Sequence, residues 1–122
     1  MPDTSLLDVF PTPNPTPFLI EHLNEEFTSV CPVTGHPDFG EILVRFEPNE
    51  TCVELKSLKL YYQSFRSEGI YYEAVTNQIR DDLVECMKPN WLHVVTDWRG
   101  RGGIRSRIMA THGAVPDVWA HG

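Results

Sequence analysis

Two different hydrophobic periods run through the middle and end of the chain, and the switches between them mark out its elements. Over 39–46, Ile42, Val44 and Phe46 alternate with Glu41, Leu43 and Arg45, the two-residue period of a strand with one buried face. Pro48, Asn49 and Glu50 supply a turn. Over 51–56 the alternation resumes, with Cys52 and Glu54 on one side and Val53 and Leu55 on the other. The period then changes: Leu58, Tyr61, Tyr62 and Phe65 fall at i, i+3, i+4 and i+7, a helical stripe with Ser57 placed to cap it. After Gly69 a second helical stripe runs through Tyr72, Val75, Ile79, Leu83 and Cys86, and Lys88, Pro89 and Asn90 end it. Two further strands are expected over 91–98 and 104–111, joined by the Gly100-Arg101-Gly102-Gly103 turn.

The order strand, strand, helix, helix, strand, strand predicts an α+β fold, a four-stranded antiparallel sheet with both helices on one face. Its outer strands carry unpaired backbone groups, so a homo-oligomer is expected to cover them. Neither period extends into the first part of the chain. Pro2, Pro11, Pro13, Pro15 and Pro17 lack amide donors and favour extended backbone, so 1–26 reads as an arm lying on a surface. The turn-rich stretch 27–38 reads as an ordered loop, and 27–122 as one domain.

Composition adds a partner class. Of 122 residues, 41 % are hydrophobic and 22 % charged, an ordinary folded balance. The net charge of −7 counts against a broad nucleic-acid or membrane-surface binder, which needs a positive field. That charge is uneven: residues 1–55 hold ten acids against Arg45 alone, whereas 56–122 hold nine bases against seven acids. An anionic ligand is therefore expected to meet the second half. No basic and apolar leader opens the chain, and three scattered cysteines read as reduced thiols, so the cytoplasm is the expected compartment.

Cys31, in the loop before Pro32 and seven residues ahead of Asp38, is the most suggestive nucleophile, since a reactive thiol needs a proton partner nearby. A small apolar filler is the competing reading, and it suits Cys52 and Cys86 well. Cys31, His36, Cys52, His93 and His112 lack the spacing of a zinc site, so no metal is expected. Lys56 and Lys59 at a helix start suit an anion, although lysines there are commonly just solvated. Arg99, Arg101, Arg105 and Arg107 surround a glycine-rich turn and fit either phosphate binding or protection of a strand edge. Glu73 beside the second apolar stripe fits a carboxylate accepting the adjacent N–H groups of a guanine-like ring.

Together, Cys31-Pro32-Val33-Thr34-Gly35 with Pro37-Asp38, Glu54-Leu55-Lys56-Ser57-Leu58-Lys59-Leu60-Tyr61, Ser64-Phe65-Arg66, Glu73 and Arg101-Gly102-Gly103-Ile104 resemble the NADPH-dependent 7-cyano-7-deazaguanine reductases, the QueF family. The likeness spans 27 to about 111. It implies the tunnelling fold (T-fold), whose members form barrels with active sites between subunits, two pentameric rings making a decamer being one arrangement it allows. It also implies NADPH as cofactor and a free deazapurine as substrate. The reaction implied is reduction of the nitrile of 7-cyano-7-deazaguanine to an aminomethyl group, on the way to queuosine in tRNA.

By the same resemblance Cys31 is the nucleophile that forms a covalent thioimide, and Asp38 is the acid that protonates the nitrile nitrogen. Val53, Glu54, Leu55, Tyr72 and Glu73 match substrate-binding positions; Lys56, Ser57 and Lys59 fall in the block linked with NADPH. Tyr72 stands where the family commonly has His, and a phenol donates a hydrogen bond but shuttles protons less readily than imidazole. Two other readings compete. One is an amidinotransferase of the same fold that adds an amine to the thioimide, against which the lysines and the acidic charge both count. The other is a non-catalytic deazapurine binder.

Overall fold

A computed structural model describes residues 1–120. After a 3-10 turn at Thr4–Leu6 come β1 (Val9–Pro11), β2 (Ile20–Val30), β3 (Pro37–Glu47), β4 (Thr51–Val53), α1 (Leu55–Gln63), α2 (Tyr72–Met87), β5 (Trp91–Arg101), β6 (Ile104–Gly113) and a short α3 (Asp117–Ala120). The main sheet is antiparallel in the order β2-β3-β5-β6, and β1 pairs with β4 in a small side sheet. This is the α+β class that the periodicity implies.

The alternation in β3 does what a two-residue period requires. Ile42, Val44 and Phe46 are all buried on the helix side, against Leu92, Val94 and Trp98 of β5 and Val75, Ile79 and Leu83 of α2. Burying each such side chain is worth about 1.5–3 kcal/mol, so this layer is the main source of cohesion. The helix stripes also hold: Leu58, Tyr61, Tyr62 and Phe65 are buried. Phe27 sits in the middle of the aromatic layer, its ring centroid 5.9 Å from Tyr62, 5.3 Å from Phe65 and 5.8 Å from Trp98.

Three readings are corrected. Residues 20–26, assigned above to the arm, and 27–30, assigned to a loop, together form β2, which leaves only 31–36 as the loop. The cause is an edge strand without apolar alternation: Glu21, His22, Asn24, Glu25 and Glu26 carry most of its first half. A bulge also breaks its period. Asn24 faces Ile42 but Phe27 faces Gly40, so one extra residue shifts Phe27 and Ser29 onto the buried side, and Asn24 Oδ1 accepts the Glu26 amide at 2.8 Å.

The second correction concerns 51–56, expected to return as the hairpin partner of 39–46. That strand ends at Val53 and pairs instead with β1, Val9 opposite Val53 and Pro11 opposite Thr51. Glu54 is the reason: its carboxylate accepts the amides of Lys56 and Ser57 at 2.7 and 2.9 Å, which starts α1 at once. The cap is thus Glu54 and not Ser57, the third correction. Ser57 lies inside the first turn, where its hydroxyl donates to the Glu54 carbonyl at 2.7 Å and accepts the Asp8 amide at 3.0 Å. The ββααββ order stands, with β2 in place of 51–56. Among the described residues no helix is long and apolar enough to cross a membrane.

Candidate active site

Strands β2 and β3 are adjacent, so the loop between them brings Cys31 back beside Asp38. The loop closes on itself: the Gly35 amide donates to the Cys31 carbonyl and the Cys31 amide to the His36 carbonyl, both at 2.9 Å. Gly35 has φ 74, a left-handed conformation that glycine adopts without steric cost. On the other side, the Val30 amide donates to Glu68 and the Ile70 amide to Val30, at 2.9 and 3.1 Å, which latches the start of α2 against the loop. The β5–β6 turn supplies Arg101. The result is a cavity of about 350 Å³ lined by Cys31, Asp38, Tyr72, Glu73 and Arg101, with the apolar Ile70 beside them.

Charge in this cavity is arranged around sulfur. The Cys31 thiol is lowered to about 6, first by the Thr34 hydroxyl, then by the amides of Thr34 and Val33, with the Arg101 guanidinium adding to them. At neutral pH it is therefore mostly thiolate, the nucleophilic form. Asp38 is buried, and its Oδ1 receives both an ion pair from Arg101 and a hydrogen bond from the Tyr72 hydroxyl at 3.3 Å. Burial, and then the neighbouring Asp38 charge, push the Tyr72 phenol upward, so it stays protonated and donates.

Tyr72 is held from behind. Its ring stacks on Trp98 with centroids 4.1 Å apart and planes 8° from parallel. The Trp98 indole N–H donates to the Thr96 hydroxyl at 2.9 Å, the Thr96 and Thr76 hydroxyls are 2.6 Å apart, and the Thr76 hydroxyl donates to the Tyr72 carbonyl at 2.9 Å. Because Thr76 gives its proton to that carbonyl, Thr96 must be the donor between the two hydroxyls. The chain of donors runs in one direction, from Trp98 back to Tyr72, and fixes the stack at both ends.

A larger cavity of about 440 Å³ lies between the 3-10 turn and α2, lined by Asp8, Asp82, Glu85 and Cys86 among others. Burial raises the Cys86 thiol, and Asp8 raises it further. A protonated thiol among carboxylates is a poor nucleophile. Of these two cavities, the one at Cys31 holds the thiol whose acidity is raised.

Residues 37–117 match the family model described as QueF-like protein. Over 111 residues the chain is 55 % identical to the NADPH-dependent 7-cyano-7-deazaguanine reductase of Anaeromyxobacter sp. (strain K), covering 90 % of this chain and 91 % of that one. It is 51 % identical over 110 residues to the enzyme of the same name from Chloroherpeton thalassium, covering 89 % and 95 %. This chain belongs to the QueF family. Its fold is also that of the archaeosine synthase QueF-Like in the apo form, with a TM-score of 0.72 and 20 % identity over 84 % of this chain and 99 % of that one. At that identity the likeness shows the fold alone, and it is the tunnelling fold implied by the sequence.

In this QueF family member the expected site residues fall into two groups. Cys31, Asp38, Tyr72 and Glu73 share the cavity, and Glu73 stands in the first turn of α2, where the helix dipole favours a carboxylate. Val53, Glu54, Leu55, Lys56, Ser57 and Lys59 do not line it. Val53 is buried with its amide 3.1 Å from the Met87 sulfur, Glu54 is committed to capping, and Leu55, Lys56 and Lys59 are exposed on α1. Leu55 and Lys59 line a separate, smaller cavity against His22, Leu23 and Asn24 of β2.

Sequence reasoning did not single out Trp98, and it quoted Thr34 and Arg101 in the motif without a role beside Cys31. Arg101 was hidden among four arginines, which the structure sorts by partner. Arg105 and Arg107 lie 3.1 and 4.0 Å from Asp97, whereas Arg101 crosses to Asp38. The usable signal was the glycine flank. Gly102 and Gly103 have φ 55 and 81, and a Cβ on Gly100 would lie 2.8 Å from the Ile104 carbonyl oxygen, so the turn is built around glycine and aims one arginine.

Proposed function

We propose that this chain reduces the nitrile of 7-cyano-7-deazaguanine to 7-aminomethyl-7-deazaguanine with NADPH, through a covalent thioimide on Cys31. The observation that carries this reading is a single cavity that joins a thiol of pKa about 6 to a buried carboxylate and an exposed one, Asp38 and Glu73. Its volume of about 350 Å³ suits a bicyclic base. The relatives named above are NADPH-dependent 7-cyano-7-deazaguanine reductases over nearly their whole length, which supports the same substrate and cofactor here.

The Cys31 thiolate attacks the nitrile carbon, forming a C–S bond while one C–N π bond breaks toward nitrogen. Asp38 passes the nitrogen a proton. Its Oδ1 accepts from Tyr72 and Arg101, which orient the carboxyl group. Glu73 accepts the paired N–H groups of the guanine-like edge, and the Tyr72 phenol donates where the family commonly has an imidazole. NADPH, when bound, supplies reducing equivalents, one electron pair per molecule and two molecules per nitrile. Between the two reductions Cys31 departs as a thiolate, for which its low pKa suits it as well as for attack.

Lys56 and Lys59 fit the cofactor, since both project from the first turns of α1 as exposed cations able to meet a phosphate. Ser57 contributes differently, its hydroxyl being engaged by Glu54 and Asp8. Because this block and the Cys31 cavity are separate within one chain, the reading places the working site between copies. Open edges on β2 and β6 support it: Leu23 and Met109 there are 55 % and 47 % exposed. A reductase drawing on NADPH with reduced thiols is assigned to the cytoplasm. The test is nicotinamide absorbance on mixing the folded protein with the nitrile and NADPH. Steady oxidation dependent on the nitrile is expected, and its absence overturns the reading.

A further inference from the structure

Among the described residues, Arg101 is the cation that lines the cavity of Cys31 and Asp38. Its guanidinium forms the ion pair with buried Asp38, and its side chain lines the same cavity as Cys31, where its positive charge favours the thiolate. Guanidinium suits this role, because its donors form a rigid planar fork matched to a carboxylate and its charge is permanent. The hairpin is shaped to deliver it: β5 and β6 lose register between Trp98 and Arg101, and the turn beyond is Gly102-Gly103. Arg105 and Arg107 near the same turn lie against Asp97. The Arg101 side chain is 44 % exposed, so it holds no hydrophobic layer together.

We propose that Arg101 is a positioning residue for the thiol chemistry, holding the Asp38 carboxylate toward the cavity it shares with Cys31 and placing a fixed cation there. The proposal rests on Cys31 being the nucleophile. It makes the placement of the proton carrier depend on the β5–β6 turn, outside the β2–β3 hairpin that carries both Cys31 and Asp38. Arg101 shares Oδ1 of Asp38 with Tyr72, so the carboxylate is gripped from two elements, the turn and α2. Losing either grip frees it to rotate. Losing Arg101 also removes the cation beside sulfur.

The test is iodoacetamide alkylation of Cys31 in the full chain, read by peptide mass between pH 5 and 9, for the wild type, R101Q and R101K. The wild-type rate should rise with a midpoint near 6. In R101Q the profile should shift to higher pH, with alkylation at pH 6 slowed severalfold and the rates converging with the wild type by pH 9. R101K, which keeps the charge but not the fork, should fall between them. Superimposable profiles for the three proteins overturn the proposal. So does a variant that changes only the KM for NADPH with an unchanged alkylation profile, since that marks a cofactor contact. Alkylation needs neither nitrile nor NADPH, so failure of the reductase reading shows in the turnover assay and leaves this result legible. Circular dichroism of each variant excludes unfolding as the cause.

Discussion

Gly40→Ala tests the support behind the site. An ideal Cβ at residue 40 would lie 2.9 Å from Trp98 Cε3, 3.2 Å from its Cδ2 and 3.1 Å from the Asp97 carbonyl oxygen. The carbonyl belongs to the β3–β5 ladder, so the indole has to move. Yet Trp98 is 1 % exposed and its N–H is tied to Thr96, so it moves only by straining its packing and that bond. Overpacking costs about 1–3 kcal/mol and the bond about 1, while replacing glycine returns about 0.5–1 through the unfolded chain. The net is a loss of about 1–3 kcal/mol, or roughly 4–12 °C in thermal midpoint at fixed protein concentration. Activity should fall as well, because a displaced Trp98 carries the stacked Tyr72 with it. In a W98F background the indole's second ring is gone, and G40A should cost at least about 1 kcal/mol less than in the wild type. Melting by circular dichroism of the four proteins decides it. An unchanged midpoint in G40A, or strict additivity across the cycle, refutes the packing argument.

Other outcomes follow from the same geometry. Thr34 makes the largest contribution to lowering the Cys31 thiol, so T34V should raise it and slow alkylation at pH 6 by about tenfold, whereas T34S should keep most of the rate. The sign is fixed: removing a donor that favours the thiolate moves the profile to higher pH, and the rates converge above pH 9. Tyr72→Phe keeps the stack on Trp98 but removes the donor to Asp38, so kcat for nitrile reduction should fall about tenfold with a smaller change in KM, read in steady-state kinetics.

How much of this could be read from the chain differs by element. The strand around Ile42–Phe46 and both helices were legible because one face of each is buried and the period survives in the letters, whereas 91–98, covered on both faces over 91–96, was legible from its apolar run between turn signals. β2 was not, because an edge strand presents polar residues on its open side and a bulge between Asn24 and Phe27 breaks what alternation remains. β4 was misassigned because propensity cannot tell which strand a short segment will pair with; the Glu54 cap decided it. In the site, Cys31 and Asp38 were legible from the motif. Arg101 carried a signal in its glycine flank, but its reach to Asp38 and the stack of Trp98 on Tyr72 are set by tertiary geometry across a sheet and a hairpin.

The central claim is that Cys31 captures the nitrile carbon. Intact-protein mass spectrometry after mixing with 7-cyano-7-deazaguanine, without NADPH, tests it most directly. The expected result is an increase equal to one whole nitrile per chain, mapped to the Cys31 peptide, absent in Cys31→Ala and discharged by NADPH. A folded wild-type protein that turns over the nitrile but never shows the adduct, or a Cys31→Ala protein that still reduces it, contradicts the account.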